Sequence, residues 1–324
     1  MRRALLAGLS VAAVAASATV AAYERRILAG LDATPDPATD GGLRFPAEAE
    51  HSIPTPDGGS LHVEECGAGQ PIVLLHGHGA NLGIFAPLAV HLRDGGRRVI
   101  AIDQRGFGRS SAVPPTFGFQ GLVDDIAEVI VALDLHDAVV VGHSLGGAVA
   151  LGLAIDHQVI VAQRVAAVVL VNSAARGPAD GRIIRAKAAA LEWSLTERVG
   201  RHPRHGLVLA RANFGAEPRR SHVVGVREVG FGSPAAPRRG LTGRLLGTDL
   251  TARLGTIRVP VVVLAGGLDR VLSVHESERV VERVRTATLE VFPGAGHVLP
   301  VERSAEVAAR ILALGRSGRS GRQR

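Results

Sequence analysis

The residues of this chain best suited to chemistry lie at 142–146, where Gly-His-Ser-Leu-Gly fits the pattern G-x-S-x-G. An apolar, β-branched run precedes Gly142, and a run rich in Ala, Val and Leu follows Gly146. This context predicts a strand, a sharp turn with Ser144 at its apex, and a helix. Such a turn exposes the serine oxygen, and the N–H groups at the helix start favour developing negative charge. The alternative is a glycine-rich turn without catalytic function.

A nucleophilic serine requires a base, a group that orients the base, and donors for an oxyanion. His297 follows the last predicted strand in a glycine-rich loop and is the candidate base. Asp269 follows the preceding strand and is the candidate orienting acid, with a turn or helix-capping aspartate as the alternative. The order Ser, Asp, His agrees with these roles. An acid could instead follow strand 166–171, but Asn172 stands there, and an amide is a poorer partner for an imidazolium.

Two backbone N–H groups are the candidate oxyanion donors. One belongs to Leu145, directly after the serine, and the other to His78, within His-Gly-His-Gly at 76–79. The glycines allow this loop to turn the His78 N–H toward the serine. His76 and His78 could alternatively bind a metal, but no Cys, Asp or Glu accompanies them as further ligands. The sequence therefore implies no metal and no other cofactor.

Short apolar strands alternate with helical stretches from residue 72 onward, which predicts a mostly parallel sheet with helices on both faces. A hairpin with an Asp-Gly turn at 57–58 precedes them. The strands are predicted at 72–76, 98–102, 138–142, 166–171, 260–265 and 288–292, and the helices at 83–93, 119–134, 145–157, 274–285 and 301–314. Each catalytic candidate follows the end of a predicted strand.

The alternation stops between residues 176 and 250, in an arginine-rich segment that contains Trp193, Phe214 and Phe231. We interpret this segment as a mainly helical cap that lies above the strand ends. The alternative is two ordinary sheet helices with their loops.

Length and composition fit one large domain with an insertion, because 46% of the 324 residues are apolar. The net charge of +7 lies at the two ends, with +3 in residues 1–26 and +4 in residues 316–324. No basic face is needed to explain the charge, so nucleic-acid binding is not expected. Cys66 is the single cysteine, which excludes an intrachain disulfide and a thiolate metal cluster.

Residues 4–22 are uncharged and follow Arg2 and Arg3, which is typical of a signal peptide or an uncleaved membrane anchor. Small residues at 16–18 or 20–22 offer cleavage sites, and the start partly resembles a twin-arginine signal. A cytosolic amphipathic extension is the alternative, against which the absence of charge counts. We expect an exported protein that is secreted or anchored in the cell membrane, with membrane association through residues 4–22.

Three sequences resemble those of the α/β-hydrolase superfamily when they are taken together with Asp269 and His297. They are His-Gly-His-Gly at 76–79, Asp-Gln-Arg-Gly-Phe-Gly-Arg-Ser at 103–110, and Gly-His-Ser-Leu-Gly-Gly at 142–147. The resemblance implies an α/β fold with an eight-stranded, mostly parallel sheet, helices on both faces and a helical cap insertion. The turn at 103–110 is interpreted as a structural brace for the active-site loops, with direct catalysis by Asp103 as the alternative.

The resemblance implies the same site residues as the analysis above. Ser144 is the nucleophile, Asp269 the orienting acid and His297 the base, and the oxyanion hole is formed by the N–H groups of His78 and Leu145. The predicted units are a signal peptide or anchor at 1–26, a linker at 27–50, the α/β-hydrolase domain at 51–315 with its cap at 176–250, and a disordered basic tail at 316–324.

These motifs predict a serine hydrolase that acts on carboxylic esters through an acyl-enzyme. A serine at the turn excludes the members with an aspartate nucleophile, namely epoxide hydrolases and haloalkane dehalogenases. The turn at 103–110 and the motif at 142–147 equally resemble those of cofactor-free haloperoxidases and carbon–carbon bond hydrolases. An acyltransferase or thioesterase with the same triad is the alternative among enzymes. A catalytically inactive member that binds a ligand is an alternative of another class. The cap and the expected membrane location favour a hydrophobic ester as substrate.

Overall fold

The computed structural model describes residues 21–36, 42–177, 194–231 and 241–314. Its strands are β1 Ala49–Pro54, β2 Ser60–Cys66, β3 Gln70–Leu75, β4 Arg97–Asp103, β5 Ala138–His143, β6 Val165–Val171, β7 Val261–Gly266 and β8 Ala287–Phe292. They form one eight-stranded sheet in the order β1-β2-β4-β3-β5-β6-β7-β8. β2 is antiparallel to β1 and β4, and all other neighbours are parallel. The predicted α/β-hydrolase fold is confirmed.

The central strands form because their residues are apolar and β-branched without interruption. Every residue of β5 is buried, since helices cover both faces of a parallel sheet. Val139 and Val141 belong to the core on one face and Val140 to the core on the other. The six strands predicted from residue 72 onward are confirmed, with ends that differ by at most two residues.

Helices flank the sheet and follow the strands at its carboxyl edge. They are α1 at 21–33, α2 Ala86–Asp94, α3 Phe119–Ala132, α4 Leu145–Asp156, α5 Gln158–Arg164, α6 Ser194–Arg201, α7 His205–Arg211, α8 Arg220–Phe231, α9 Leu241–Leu246, α10 Val274–Arg283, α11 Leu299–Glu302 and α12 Ser304–Leu314. Two 3-10 helices lie at Leu82–Phe85 and Thr251–Thr256.

Two helices differ from the sequence prediction because the backbone leaves the helical conformation at one residue. The predicted helix at 145–157 corresponds to α4, but α5 follows after His157, whose ψ of 46° leaves the helical range. The predicted helix at 301–314 is divided into α11 and α12 at Arg303, whose ψ is 39°.

In the described ranges no helix is by itself long and apolar enough to cross a membrane, and the one pair that qualifies by length and composition, α4 with α5, is bent by 99°.

The chain before the sheet differs from the predicted linker at 27–50. Residues 21–33 form α1, in which Leu31 is 2% exposed. Ile27 and Leu28 are partly buried in the same core, so a helical face that begins near the end of the apolar segment continues into the linker region. Phe45 is also buried there. Residues 1–20, which hold most of the predicted signal peptide or anchor, and the predicted tail at 316–324 lie outside the described residues.

The parts of the predicted cap that the structure describes are helical, namely α6, α7, α8 and α9. Residues 178–193 and 232–240 of this segment, including Trp193, lie outside the described residues. Leu207, Phe214 and Val223 of the cap join Leu31 in one core. The cap therefore packs on the N-terminal helix as well as on the sheet.

Candidate active site

Ser144 connects β5 to α4 in the strained turn that the sequence predicts. Its φ of 53° and ψ of −118° are sparsely populated for a residue with a side chain, and such strain is typical of functional sites. A Cβ on Gly142 would lie 2.3 Å from the Gly146 oxygen, and one on Gly146 would lie 2.1 Å from the Leu75 oxygen. Both glycines are therefore required by the close approach of backbone around the serine.

Asp269 and His297 lie on neighbouring loops after β7 and β8 and form a hydrogen-bonded pair. His297 Nδ1 lies 2.8 Å from Asp269 Oδ2, and both side chains are nearly removed from water. The other carboxylate oxygen accepts the backbone N–H groups of Val271 at 2.7 Å and Leu272 at 2.9 Å. The carboxylate thus has a fixed orientation and presents one oxygen to the imidazole.

Burial acts to raise the pKa of Asp269, but the hydrogen bond and charge of His297 act against it, as do the N–H of Leu272 and the amide of Asn172. The pKa of Asp269 consequently lies below its usual value. The carboxylate is therefore ionised at neutral pH and can stabilise an imidazolium at His297.

Asn172 also contributes to the candidate site, although its sequence position suggests only a poor substitute for the acid. It follows β6 with a left-handed φ of 47°, which asparagine tolerates better than most residues. Its Nδ2 donates to Asp269 Oδ2 at 2.7 Å and to the Gly296 oxygen at 2.8 Å. One amide thus fixes both the acid and the loop of the base. The signal that could have indicated it is a polar residue at the carboxyl end of a buried strand.

His143 lies beneath the base and is a second residue that the sequence analysis does not single out. Its Nε2 lies 2.8 Å from the His297 oxygen, and the two rings are 5.0 Å apart. Burial first, and then the charge of His297, lower the pKa of His143 to about 3. The ring is therefore neutral, and it donates its Nε2 proton to the backbone of the base.

The serine follows β5 and the candidate base follows β8, so their loops meet at the carboxyl edge of the sheet across β6 and β7. Ser144 is half-buried, and its Oγ forms no hydrogen bond with any other residue in the described ranges. Without substrate, catalytic hydrogen bonds are often long and tighten only in the complex. A Cβ on Gly77 would lie 3.0 Å from Ser144 Cβ and 3.1 Å from His143 Nδ1, so the loop after β3 lies directly against the serine.

The candidate oxyanion donors lie on the two loops that meet at the serine. Leu145 begins α4, and its N–H has no hydrogen-bond acceptor among the described residues. His78 lies in the loop after β3, where Gly79 takes a left-handed φ of 77°. The His78 side chain is held by the cap, because its Nε2 lies 3.0 Å from Thr242 Oγ1 of α9. Its ring also packs edge-on against Phe107.

The alternative that His76 and His78 bind a metal would require further ligands beside them. The His76 ring nitrogens lie 2.8 Å from the Gly77 oxygen and 3.0 Å from the Gln104 nitrogen. Among the described residues, no group of three or more His, Cys, Asp or Glu side chains is arranged to hold a metal ion.

Asp103 has the bracing role that the sequence predicts. Its carboxylate accepts the N–H of Leu82 at 2.8 Å and that of Arg109 at 2.7 Å. Gln104 Nε2 donates to the His76 oxygen at 2.5 Å. The turn after β4 therefore ties the oxyanion loop to the sheet, and Asp103 has no contact with Ser144 or His297 among its hydrogen bonds in the described part of the chain.

Glu302 connects the cap to the loop of the base. Its two oxygens accept the N–H of Gly296 at 2.9 Å and the N–H of Gly215 at 2.7 Å. The His297 N–H in turn donates to the Asn213 oxygen at 2.7 Å. Burial raises the pKa of Glu302 above its usual value, although the two N–H groups oppose this effect. The segment between α7 and α8 therefore supports the candidate base.

Comparisons with known proteins agree with this architecture. Residues 72–310 match a family model described as "Alpha/beta hydrolase family". The chain is 32% identical over 251 residues to "Putative carbamate hydrolase RutD" of Variovorax paradoxus, covering 76% of this chain and 92% of that protein. It is 28% identical over 279 residues to "Non-heme haloperoxidase" of Rhodococcus erythropolis, covering 80% and 96%. A solved esterase from Exiguobacterium antarcticum superposes with a TM-score of 0.73 at 25% identity, covering 83% of this chain and 100% of that one.

Proposed function

The chain belongs to the alpha/beta hydrolase family, and we propose that it hydrolyses carboxylic esters through an acyl-enzyme formed on Ser144. The observation that carries this proposal is the 2.8 Å hydrogen bond between His297 and Asp269, at the sheet edge where Ser144 sits in its strained turn. A base with an orienting acid near a partly accessible serine is the arrangement that acyl transfer requires.

In the first half of the reaction, His297 Nε2 removes the proton of Ser144 as Oγ attacks the ester carbonyl. Asp269 stabilises the imidazolium through the Nδ1 proton. The N–H groups of Leu145 and His78 donate to the oxyanion of the tetrahedral intermediate. The intermediate collapses when the bond to the alcohol oxygen breaks, and His297 gives its proton to the leaving alcohol.

In the second half, water replaces the alcohol. The water oxygen attacks the acyl carbonyl while His297 takes one proton from the water. The same two N–H groups donate to the second oxyanion. When the bond to Ser144 Oγ breaks, His297 returns the proton to the serine. The products are the carboxylic acid and the free enzyme, and no cofactor takes part in these steps.

We also propose that the enzyme is exported, that residues 4–22 associate it with the membrane, and that its substrate is a hydrophobic ester. The uncharged sequence of 4–22 supports the first two points. The cap supports the third point, because its backbone at Phe214 lies directly against Gly296 in the loop of the base, and the cap thus encloses the approach to the site. A p-nitrophenyl ester series of rising chain length tests the substrate, and activity restricted to short soluble esters would contradict it.

The test of the catalytic proposal is covalent labelling with a fluorophosphonate probe. Wild type should be labelled, and Ser144→Ala and His297→Ala should not. Ser273→Ala and His275→Ala are matched controls, because both residues are exposed on the nearby loop and first turn of α10 and should leave labelling unchanged. Folded wild-type protein that resists the probe would overturn the proposal and favour an inactive, ligand-binding member of the family.

Carbamate hydrolysis is a second candidate, favoured by the 32% identity to a carbamate hydrolase over 76% of the chain. The same serine, base and oxyanion donors would act on a carbamate carbonyl. Turnover of p-nitrophenyl esters should be compared with that of matched p-nitrophenyl carbamates. Multiple turnovers of the carbamate with a larger kcat/KM than the ester would replace the ester proposal with this one.

A further inference from the structure

The N-terminal helix α1 is fixed to the cap by contacts along its length. Glu24 pairs with His205 at 3.1 Å near its start. Beyond its end, Asp36 accepts the N–H of Ser221 at 2.6 Å and its hydroxyl at 2.9 Å. Leu31, between these contacts, is 2% exposed. The first turn of α1 therefore has a fixed position beside α7.

Exposed hydrophobic residues gather around this position. Seven large hydrophobic residues are exposed in the described part of the chain, and four of them lie on three segments that meet here. They are Tyr23 on α1 at 56%, Leu209 on α7 at 40%, and Leu268 at 45% and Val271 at 46% in the loop after β7. We call these four residues the catalytic-edge surface, because Asp269 lies between two of them.

Hydrogen bonds connect the loop after β7 to the chain that follows α7, because the Leu268 N–H donates to the Ala295 oxygen at 2.9 Å and the His297 N–H donates to the Asn213 oxygen at 2.7 Å. The electrostatic effects on Arg211 agree with this proximity. Burial is the largest cause that lowers the pKa of Arg211, and the charge of Arg270 from the loop after β7 lowers it further. Glu302 and Tyr23 act in the opposite direction. Groups from α1, α7 and the β7 loop thus act on one guanidinium.

Two of the three segments also carry exposed arginines, namely Arg25 and Arg26 on α1 and Arg270 after β7, and none of these forms an ion pair with another described residue. Arg211 of α7 is half-buried and donates to the Phe214 oxygen at 3.1 Å. Exposed apolar side chains interleaved with unpaired cations are typical of surfaces that lie at the interface of an anionic membrane.

We propose that the catalytic-edge surface docks on a bilayer that contains anionic phospholipids, so that substrate enters the active site from the lipid phase. This inference rests on the proposed export and membrane association of the chain. A bilayer is favoured over a protein partner because the uncharged sequence 4–22 directly precedes Tyr23. The segment would hold the chain at the membrane, and the catalytic-edge surface would set the orientation of the active site.

Two exposed residues at the other end of the sheet serve as matched controls. α3 and α4 start at the catalytic edge and run to the opposite edge. Val131 near the end of α3 is 45% exposed, and Val159, directly after α4, is 71% exposed. In the proposed orientation both residues point away from the membrane.

The test uses the full chain with one introduced cysteine that carries an environment-sensitive fluorophore. Leu209→Cys and Leu268→Cys report on the catalytic-edge surface, and Val131→Cys and Val159→Cys are the controls. The native Cys66 does not interfere, because it is 1% exposed and burial raises its pKa to about 11. The labelled proteins are reconstituted into phosphatidylcholine vesicles with and without phosphatidylglycerol.

We expect emission from positions 209 and 268 to shift to shorter wavelength in vesicles with phosphatidylglycerol, and emission from positions 131 and 159 to stay unchanged. Replacing Arg25 and Arg26 by Gln should lower the ratio of docked to undocked protein about fivefold for each charge removed. An equal response at all four positions would overturn the proposal. A shift that needs no vesicles and grows with protein concentration would also overturn it, in favour of a second copy of the chain.

Hydrolysis of soluble p-nitrophenyl acetate by the unlabelled wild-type protein separates this inference from the catalytic proposal, because a label at position 268 lies next to Asp269. Hydrolysis without a selective shift at 209 and 268 would overturn the docking and leave the esterase proposal intact. A selective shift in a folded protein without hydrolysis would overturn the esterase proposal and leave the docking intact.

Discussion

Asn172 Nδ2 donates to Asp269 Oδ2 at 2.7 Å, and the same oxygen accepts the Nδ1 proton of His297 at 2.8 Å. The amide stands at the end of β6 and the acid beyond the end of β7, so adjacent strands contribute to one hydrogen-bond network. The position that could have carried the acid instead carries a donor that orients it. Within the described residues the carboxylate therefore receives four hydrogen bonds, including those of Val271 and Leu272.

Replacing Asn172 by Ala should lower kcat by about 10- to 100-fold, because a hydrogen bond to a charged group is lost near the base. KM should change little, since the amide does not face the serine. Steady-state hydrolysis of p-nitrophenyl acetate measures both constants. Asn213→Ala is the control, because that side chain bonds only to the local Leu209 and Ala210 oxygens within the described residues. An unchanged kcat in Asn172→Ala would contradict this role.

The buried His143 should make the stability of the protein depend on pH. Its pKa is about 3 in the folded protein, against 6.5 for an ordinary histidine. The unfolded chain therefore takes up a proton below pH 6.5 that the folded chain refuses until near pH 3. The contribution to stability is complete above pH 6.5 and is lost as the pH falls, by about 1.4 kcal/mol for each pH unit within this window.

His143→Gln should remove this dependence, so that the free energy of unfolding falls less steeply with acid than in wild type. Urea denaturation at a series of pH values between 6.5 and 3 gives the two slopes. The exposed His275→Gln should keep the wild-type slope. Equal slopes for wild type and His143→Gln would mean that His143 titrates in the folded protein as it does in water.

Glu302 should support the base through the backbone, because it accepts N–H groups from Gly215 and Gly296. Glu302→Ala leaves two donors unpaired, which should cost about 2 kcal/mol of unfolding free energy and lower kcat at least about tenfold. Glu302→Gln keeps one acceptor oxygen and should fall between Ala and wild type. Glu306→Ala, an exposed residue on α12, should stay within about 0.5 kcal/mol of wild type. Equal stability of all variants would show that the bridge contributes nothing.

The sheet and the turn at Ser144 could be predicted because their causes are local. Continuous β-branched runs mark strands that are covered on both faces, and β5 illustrates this in every residue. The glycines at 142 and 146 follow from close backbone contacts around one serine. The proximity of Asp269 and His297 could be predicted because parallel strands end at one edge of the sheet.

The supporting residues could not be predicted, because their roles arise where distant loops meet. Thr242 contacts a histidine 164 positions earlier in the chain, and Asn172 contacts an aspartate 97 positions later. Thr242 has no local pattern that distinguishes it from an ordinary polar residue, and the one local signal of Asn172 is its place at the end of a buried strand. The burial of Leu31 in the region of the predicted linker has the same cause, since Leu31 shares its core with cap residues that come more than 170 positions later.

Thr242 of the cap should influence the oxyanion hole through His78. Its side chain is 1% exposed, and its Oγ1 lies 3.0 Å from His78 Nε2, on the loop whose N–H is the proposed donor. Thr242→Val keeps the shape and removes the hydrogen bond. Loss of a whole oxyanion donor costs about 10²- to 10³-fold in rate, so a displaced donor should cost less, about tenfold in kcat. KM should stay near the wild-type value, because the ground-state ester carries little charge on its carbonyl oxygen.

The measurement is kcat and KM for p-nitrophenyl esters, together with inhibition by a boronic acid that forms a tetrahedral adduct with the serine. Weaker inhibition in parallel with the fall in kcat would support an effect on the oxyanion site. Thr256→Val, whose hydroxyl bonds to the local Arg253 oxygen, should change neither quantity. A fall in kcat with unchanged inhibition would locate the effect of Thr242 outside the oxyanion hole, because an adduct that places negative charge there would not sense the substitution.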